Sequence, residues 1–230
     1  MSQQLVTTGI VLRRVDYGEA DRILTLLTPN YGKLQLMAKG VRRVKSKLAG
    51  GIELFSVTNL TFIRGRGDIG RLVSTRLVTH YGHIVQDLNR TMLGYELINQ
   101  LNRATEDEPE VDYFHLLEAA FAALDDPSVP LDLISLWFTA QLLRLSGHTP
   151  NLQTAADGAR LSAELEYEYS FDDAAFIARA GAPYGADAIK FLRLVFNGNA
   201  PGVLAKVTGS AQLAANLKQL VSLLSQQYSH

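Results

Sequence analysis

Between Leu5 and Arg76 hydrophobic and polar positions alternate with a period of two, and the residues that carry the alternation favour extended backbone. Five strands are predicted: 9–17, 20–30, 33–40, 54–64 and 71–80. Tyr17-Gly18-Glu19, Pro29-Asn30-Tyr31-Gly32, a long loop ending at Gly50-Gly51, and Arg64-Gly65-Arg66-Gly67-Asp68 separate them, each supplying the glycine or proline that a reversal needs. Five short strands with one long connection between the third and fourth predict a small closed barrel of the OB type. An SH3-like barrel fits the pattern nearly as well.

Near Tyr81 the period becomes helical. Ile84, Leu88, Met92, Tyr95, Ile98 and Leu101 form one apolar stripe, and Val111, Phe114, Leu117, Phe121 and Leu124 form the next. The acidic run Glu106-Asp107-Glu108-Pro109-Glu110 connects the two helices, and Asp125-Asp126-Pro127 ends the second. LDLISLWFTAQLLRL, 131–145, is apolar nearly all round, which predicts a central helix stopped by Gly147 and Pro150. Periodicity is lost over 151–184 apart from a short hairpin in EYEYSFDDAAFI. It returns in helices over 186–196 and 211–228, with a break at 197–202. The fold class is α+β: a five-stranded OB-type barrel over 1–80, then an all-helical domain over 81–230 with an irregular insertion at 151–184.

Charge sharpens this division. The net charge of -1 conceals 13 Lys/Arg against 5 Asp/Glu in residues 1–76, a balance of +8, and 9 against 18 in the remainder, a balance of −9. A basic N-terminal module on an acidic scaffold points to an anionic ligand. With 47% hydrophobic and 20% charged residues the composition is globular, and no apolar run reaches the roughly 18 residues of a membrane span. The start, MSQQLVTTG, lacks the features of a signal peptide, so a cytoplasmic location is expected. The chain has no cysteine, which excludes disulfides, thiolate metal sites and a cysteine nucleophile.

The strongest candidate site is KLQLMAKGVRRVKSKL, 33–48, which holds Lys33, Lys39, Arg42, Arg43, Lys45 and Lys47 and no acidic residue. Clustered cations neutralise phosphates whatever the base sequence. Gly65-Arg66-Gly67-Asp68-Ile69-Gly70 spells G-x-G-x-x-G, but a strand-like segment follows it where a dinucleotide site needs a helix. It reads as a hairpin turn presenting Arg64 and Arg66 beside the basic loop. His80 and His83 lie at a strand-to-helix junction without cysteine or carboxylate partners in register, and His115, His148 and His230 add nothing to them. The acidic pairs sit at connections, where capping and solvation explain them, so no enzyme chemistry is expected. Tyr17 and Tyr31, at turns, are candidates for stacking on bases, whereas Phe55 and Phe62 read as core.

Asp16-Tyr17-Gly18-Glu19-Ala20-Asp21-Arg22, the strand pair ending in Thr28 and Gly32-Lys33, Ala38-Lys39-Gly40-Val41-Arg42-Arg43, and Phe62-Ile63-Arg64-Gly65-Arg66-Gly67 together resemble the N-terminal domain of the RecO family of bacterial recombination mediators. LWFTAQLLRLSGHTPNL resembles a later helix of that family, so the likeness covers most of residues 5–152. It implies an OB-fold, a helical C-terminal domain, and binding of single- and double-stranded DNA by a nucleoid-associated cytoplasmic protein. It also implies annealing of complementary strands, and loading of RecA together with RecR onto DNA coated by single-strand-binding protein, whose acidic tail is contacted. Carried over, the DNA-binding residues are Arg13, Arg14, Arg22, Lys33, Lys39, Arg42, Arg43, Lys45, Lys47, Arg64 and Arg66.

The chain departs from the family in one respect. Where many members carry two zinc-binding C-x-x-C pairs, it has Thr154-Ala155-Ala156-Asp157-Gly158 and Ala178-Arg179-Ala180-Gly181. No metal or other cofactor is expected, and Leu161, Leu165, Tyr167, Tyr169, Phe171 and Phe176 are expected to hold the lobe. Charge and period alone leave two alternatives: an adaptor whose basic loop binds an acidic peptide tail, and an RNA-binding OB protein.

Overall fold

The computed structural model describes residues 3–65, 67–105 and 111–228. Five strands, β1 (Gln4–Tyr17), β2 (Asp21–Thr28), β3 (Gly32–Ala38), β4 (Ser56–Ile63) and β5 (Ile69–His80), close into a barrel of order β1-β2-β3-β5-β4. β1 pairs with both β2 and β4, and closure comes from a parallel contact in which Gln35, Leu36 and Met37 of β3 meet Ile69, Gly70 and Arg71 of β5. This single parallel seam distinguishes the OB arrangement from an up-and-down barrel. β1 begins five residues earlier than the alternation predicts, because Gln4 to Thr8 bonds to β4 through backbone groups that polar residues supply as well as apolar ones.

Alternation puts Val11, Leu24, Leu26, Leu36, Leu60, Phe62 and Leu72 inside the barrel, where all are buried. Phe55, just before β4, takes a different course. Its φ of +55°, unusual for a residue with a side chain, accompanies a ring packed edge-on against Tyr95 and Phe121 at 5.4 and 5.3 Å.

Tyr95 and Phe121 belong to α1 (Leu88–Ala104) and α2 (Val111–Asp125), which pack on each other and complete a compact unit spanning 1–126. Asp87 caps α1, accepting the amides of Asn89 and Arg90 at 2.8 and 3.1 Å. The expected stripe on α1 is only half right. Ile98 and Leu101 are buried, but Leu88 and Met92 are 73% and 62% exposed, and the inward face is Arg90, Leu93, Gly94, Leu97, Ile98 and Leu101. Two overlapping stripes share this helix, and close approach decides between them: Gly94 lies so near Phe55 that a Cβ there would come within 2.5 Å of Cε1 of its ring. On α2 the expected face is buried except for Val111. The acidic connector 106–110 lies outside the described residues.

Residues 127–230 form a second compact unit. α3 (Leu131–Leu145) is its centre, with every residue from Leu136 to Leu143 buried, and α4 (Ala186–Phe196), α5 (Pro201–Leu204) and α6 (Ser210–Gln227) pack around it. The one-turn α5 falls in the segment expected to be a break, where Pro201 starts it. A hairpin of β6 (Tyr167–Ser170) and β7 (Ala175–Ala178) organises the irregular lobe, as the sequence predicts. No helix of the described residues is long and apolar enough to cross a membrane.

Candidate nucleic-acid interface

The basic loop follows β3 and is held at both ends by apolar side chains. Val41 is 4% exposed and joins the barrel core, and Leu48 and Ala49 pack on that core from the far end. Between these pegs Arg42, Arg43, Lys45 and Lys47 are exposed, as is Lys39 just before Val41. Successive turns shape the loop: the Arg43 amide donates to Gly40 O at 3.1 Å and the Ser46 amide to Arg43 O at 2.9 Å. Gly40 has φ +65°, the left-handed conformation that lets the chain leave β3 and send Val41 inward. Among the described residues Lys39, Arg43, Lys45 and Lys47 have no acidic partner, so their charge is presented to solvent.

Two of the segments that carry the family likeness, 16–22 and 38–43, are bound to each other. The Gly40 amide donates to Asp21 Oδ1 at 2.7 Å and the Arg42 amide to Ala20 O at 3.0 Å. Asp16 Oδ1 takes the Arg22 Nε at 2.7 Å, and its Oδ2 lies 3.6 Å from Arg42 Nη1. The hydrogen bond from Arg22, the largest influence, outweighs the opposing desolvation and, with the positive field of Arg42, Arg22 and Arg14, holds the Asp16 carboxyl below its ordinary range. Asp16 thus remains charged and gathers Arg22 and Arg42 beside the β1–β2 turn.

Register then assembles a face from four strands. Arg13, Thr25, Gln35 and Ile69 stand side by side across β1, β2, β3 and β5, and Val15, Ile23, Met37 and Arg71 form the adjacent row. A neutral centre is flanked by Arg13 on one strand and Arg71 on another, while Arg14 falls in register with the buried Leu24 and Leu36. Arg14 is tied to Glu53 at 2.9 Å, whereas Arg13 has no acidic partner among the described residues. Arg71 was not singled out from the sequence. The parallel β3–β5 seam brings it to this face, and alternation with the buried Leu72 points it outward.

Two expected members have other surroundings. Arg64 does not lie beside the basic loop: its guanidinium sits 5.4 Å from the centre of the Tyr31 ring, at the opposite end of β3. Because β5 runs parallel to β3 and its first residues pair with Gln35 to Met37, the β4–β5 hairpin that precedes them falls toward the start of β3 and the β2–β3 turn. Tyr31 packs edge-on against Phe62 at 5.5 Å and is half-buried, while Tyr17 is exposed. Lys33 Nζ donates to Asn102 O at 2.8 Å and Thr105 O at 2.6 Å, occupying the negative end of α1. Arg66 lies outside the described residues.

Residues 1–81 match the family described as Recombination protein O N terminal, and residues 86–229 match Recombination protein O C terminal. The chain belongs to the RecO family. Relatives bearing the name DNA repair protein RecO include that of Dehalococcoides mccartyi, 29% identical over 86% of this chain and 80% of that protein. That of Halalkalibacterium halodurans is 28% identical over 96% and 88%, and that of Trichodesmium erythraeum 36% identical over 64% and 50%.

The zinc implied by likeness to other RecO proteins does not fit this chain. There is no cysteine, and no cluster of three or more His, Asp or Glu among the described residues is placed to hold a metal. Asp157 accepts the Ala159 amide at 2.9 Å, and the Glu166 carboxylate accepts the Gly181 amide at 2.6 Å, so hydrogen bonds close both turns of this RecO lobe. Tyr167 and Phe176 are buried and Tyr169 half-buried, with Tyr184 against Phe176 at 6.1 Å. Leu165, expected in this cluster, is 49% exposed and lies outside the hairpin, whereas Phe171, at the hairpin tip and 36% exposed, still packs edge-on against Tyr169 at 5.2 Å. His83 bonds to Asp125 at the end of α2, a junction role, and His230 lies outside the described residues. G-x-G-x-x-G is a hairpin between β4 and β5, where a Cβ on Gly65 would strike Ile69 O.

Proposed function

We propose that the chain is a non-enzymatic DNA-binding recombination mediator that acts in DNA repair. It anneals complementary single strands and, with RecR, assists RecA loading on DNA coated by single-strand-binding protein. The observation that carries this reading is the basic loop pegged by Val41 and Leu48, with Arg22 and Arg42 gathered beside it and Arg13 and Arg71 flanking a neutral strand face. Fixed cations beside exposed strands grip the backbone of a nucleic acid without reading its bases. Arg13, Arg14, Arg22, Lys39, Arg42, Arg43, Lys45 and Lys47 are assigned to DNA, with Arg64 at the margin. Lys33 supports the interface by fixing α1.

Membership of the RecO family supports the repair role, and the loop's charge supports contact with DNA. A strand-annealing assay with purified protein, with and without single-strand-binding protein, tests the proposal. Accelerated annealing that persists on coated strands is expected. Rates equal to those of free DNA at low salt would overturn it.

A further inference from the structure

A groove of about 710 Å³ runs between the outer faces of β1–β3 and the helix α1. Its volume lies in the range of roughly 300–1,000 Å³ typical of sites that enclose a small ligand. Thr25 and Gln35 lie along its floor, Arg13 and Arg14 form one rim, and Tyr95 and Asn99 of α1 form the other. The helix is a fixed wall. Lys33 clamps its C-terminal carbonyls, and Gly94 seats its middle turn directly on the Phe55 ring.

Tyr95 is 46% exposed although its ring packs at a steep angle on Phe55 at 5.4 Å, so it is supported from the core side while it also lines the groove. An aromatic surface opposite unneutralised arginine matches the two needs of a single-stranded nucleic acid, stacking for the base and a cation for the phosphate. A paired base has both faces covered and cannot use such a site. Asp68, at one end, repels phosphate there and is an acceptor for the amino group of a base.

We propose that this groove takes one unstacked base of a single strand against Tyr95, which makes α1 a part of the DNA interface and a source of preference for single strands. The proposal rests on the DNA-binding reading above. The phosphate lies toward Arg13 and the base toward the helix, with Asn99 within the groove to meet its polar edge.

The test uses the full chain and the variants Tyr95→Leu, which keeps an apolar contact with Phe55 but removes the π face, and Tyr95→Phe, which restores that face. An oligothymidine single strand and a duplex of equal length are titrated at fixed salt. Tyr95→Leu is expected to lose about tenfold in single-strand affinity, with its duplex affinity and salt slope unchanged and with Tyr95→Phe restoring binding. An oligonucleotide carrying 5-iododeoxyuridine is expected to cross-link to the tryptic peptide Thr91–Arg103. Equal loss on both DNAs, or wild-type single-strand affinity in Tyr95→Leu, would overturn the proposal while leaving charge-driven binding intact. Absence of DNA binding by the wild-type chain would instead remove the reading beneath it.

Discussion

Asp21 accepts the Gly40 amide at 2.7 Å, joining the β1–β2 turn to the start of the basic loop. An ionised acceptor gives a stronger hydrogen bond than a neutral one, and its loss leaves a backbone N–H unpaired. Asp21→Ala is therefore expected to destabilise the protein by about 1.5–3 kcal/mol in urea unfolding. Asp21→Asn, which keeps an acceptor, should lose less. Equal losses would show that the acceptor is not what matters.

Asp16 supplies a pH dependence with a definite sign. Its carboxyl titrates below the ordinary 3.8 because Arg22 donates to the charged form, so the folded state favours the carboxylate. The resulting stabilisation is present above the unfolded value and is lost as pH falls through the lower folded value. A carboxyl-detected NMR titration should place the Asp16 inflection below 3.8, and Arg22→Ala should move it upward. An inflection that Arg22→Ala leaves in place would contradict the assigned cause.

Much of the barrel is legible in the sequence because alternation and turn residues are local. The five strands and the β6–β7 hairpin follow from them. What distance in the chain decides is not legible. Arg64 was expected beside the basic loop, but its neighbour is Tyr31, because a parallel seam cannot be read from spacing. Lys33 looks like one more cation of the basic run, yet its partners lie about seventy positions further on. On α1 the periodic stripe through Leu88 and Met92 competed with one containing Arg90, a charged residue that is buried because it donates to Leu124 O and Asp126 O at 2.9 and 3.0 Å. A hydropathy pattern excludes such a residue from the core, and only the C-terminal carbonyls of a neighbouring helix explain it.

Gly94 and Phe55 set the seat of α1. Replacing a helical glycine by alanine normally gains about 1 kcal/mol. A Cβ 2.5 Å from a buried ring costs more, toward the upper end of the roughly 1–3 kcal/mol of overpacking, since Phe55 is enclosed by Tyr95 and Phe121. Gly94→Ala should lower the melting temperature, and a rise would refute the close packing.

The lobe at 151–184 is held by side chains. Phe176→Ala, removing a ring that touches Tyr167, Tyr169 and Tyr184, is expected to cost about 3–5 kcal/mol. Dialysis against a chelator should leave the melting temperature unchanged. A clear drop would reveal a metal that these residues do not explain.

The most direct measurement is the salt dependence of single-stranded DNA affinity when Arg42, Arg43, Lys45 and Lys47 are neutralised together. Val41 and Leu48, which anchor the loop, are untouched by these changes. Binding should weaken, and the slope of log affinity on log salt should flatten by about 0.7 for each phosphate contact removed. Affinity and slope equal to those of the wild type at two salt concentrations would contradict a role for this loop in holding DNA.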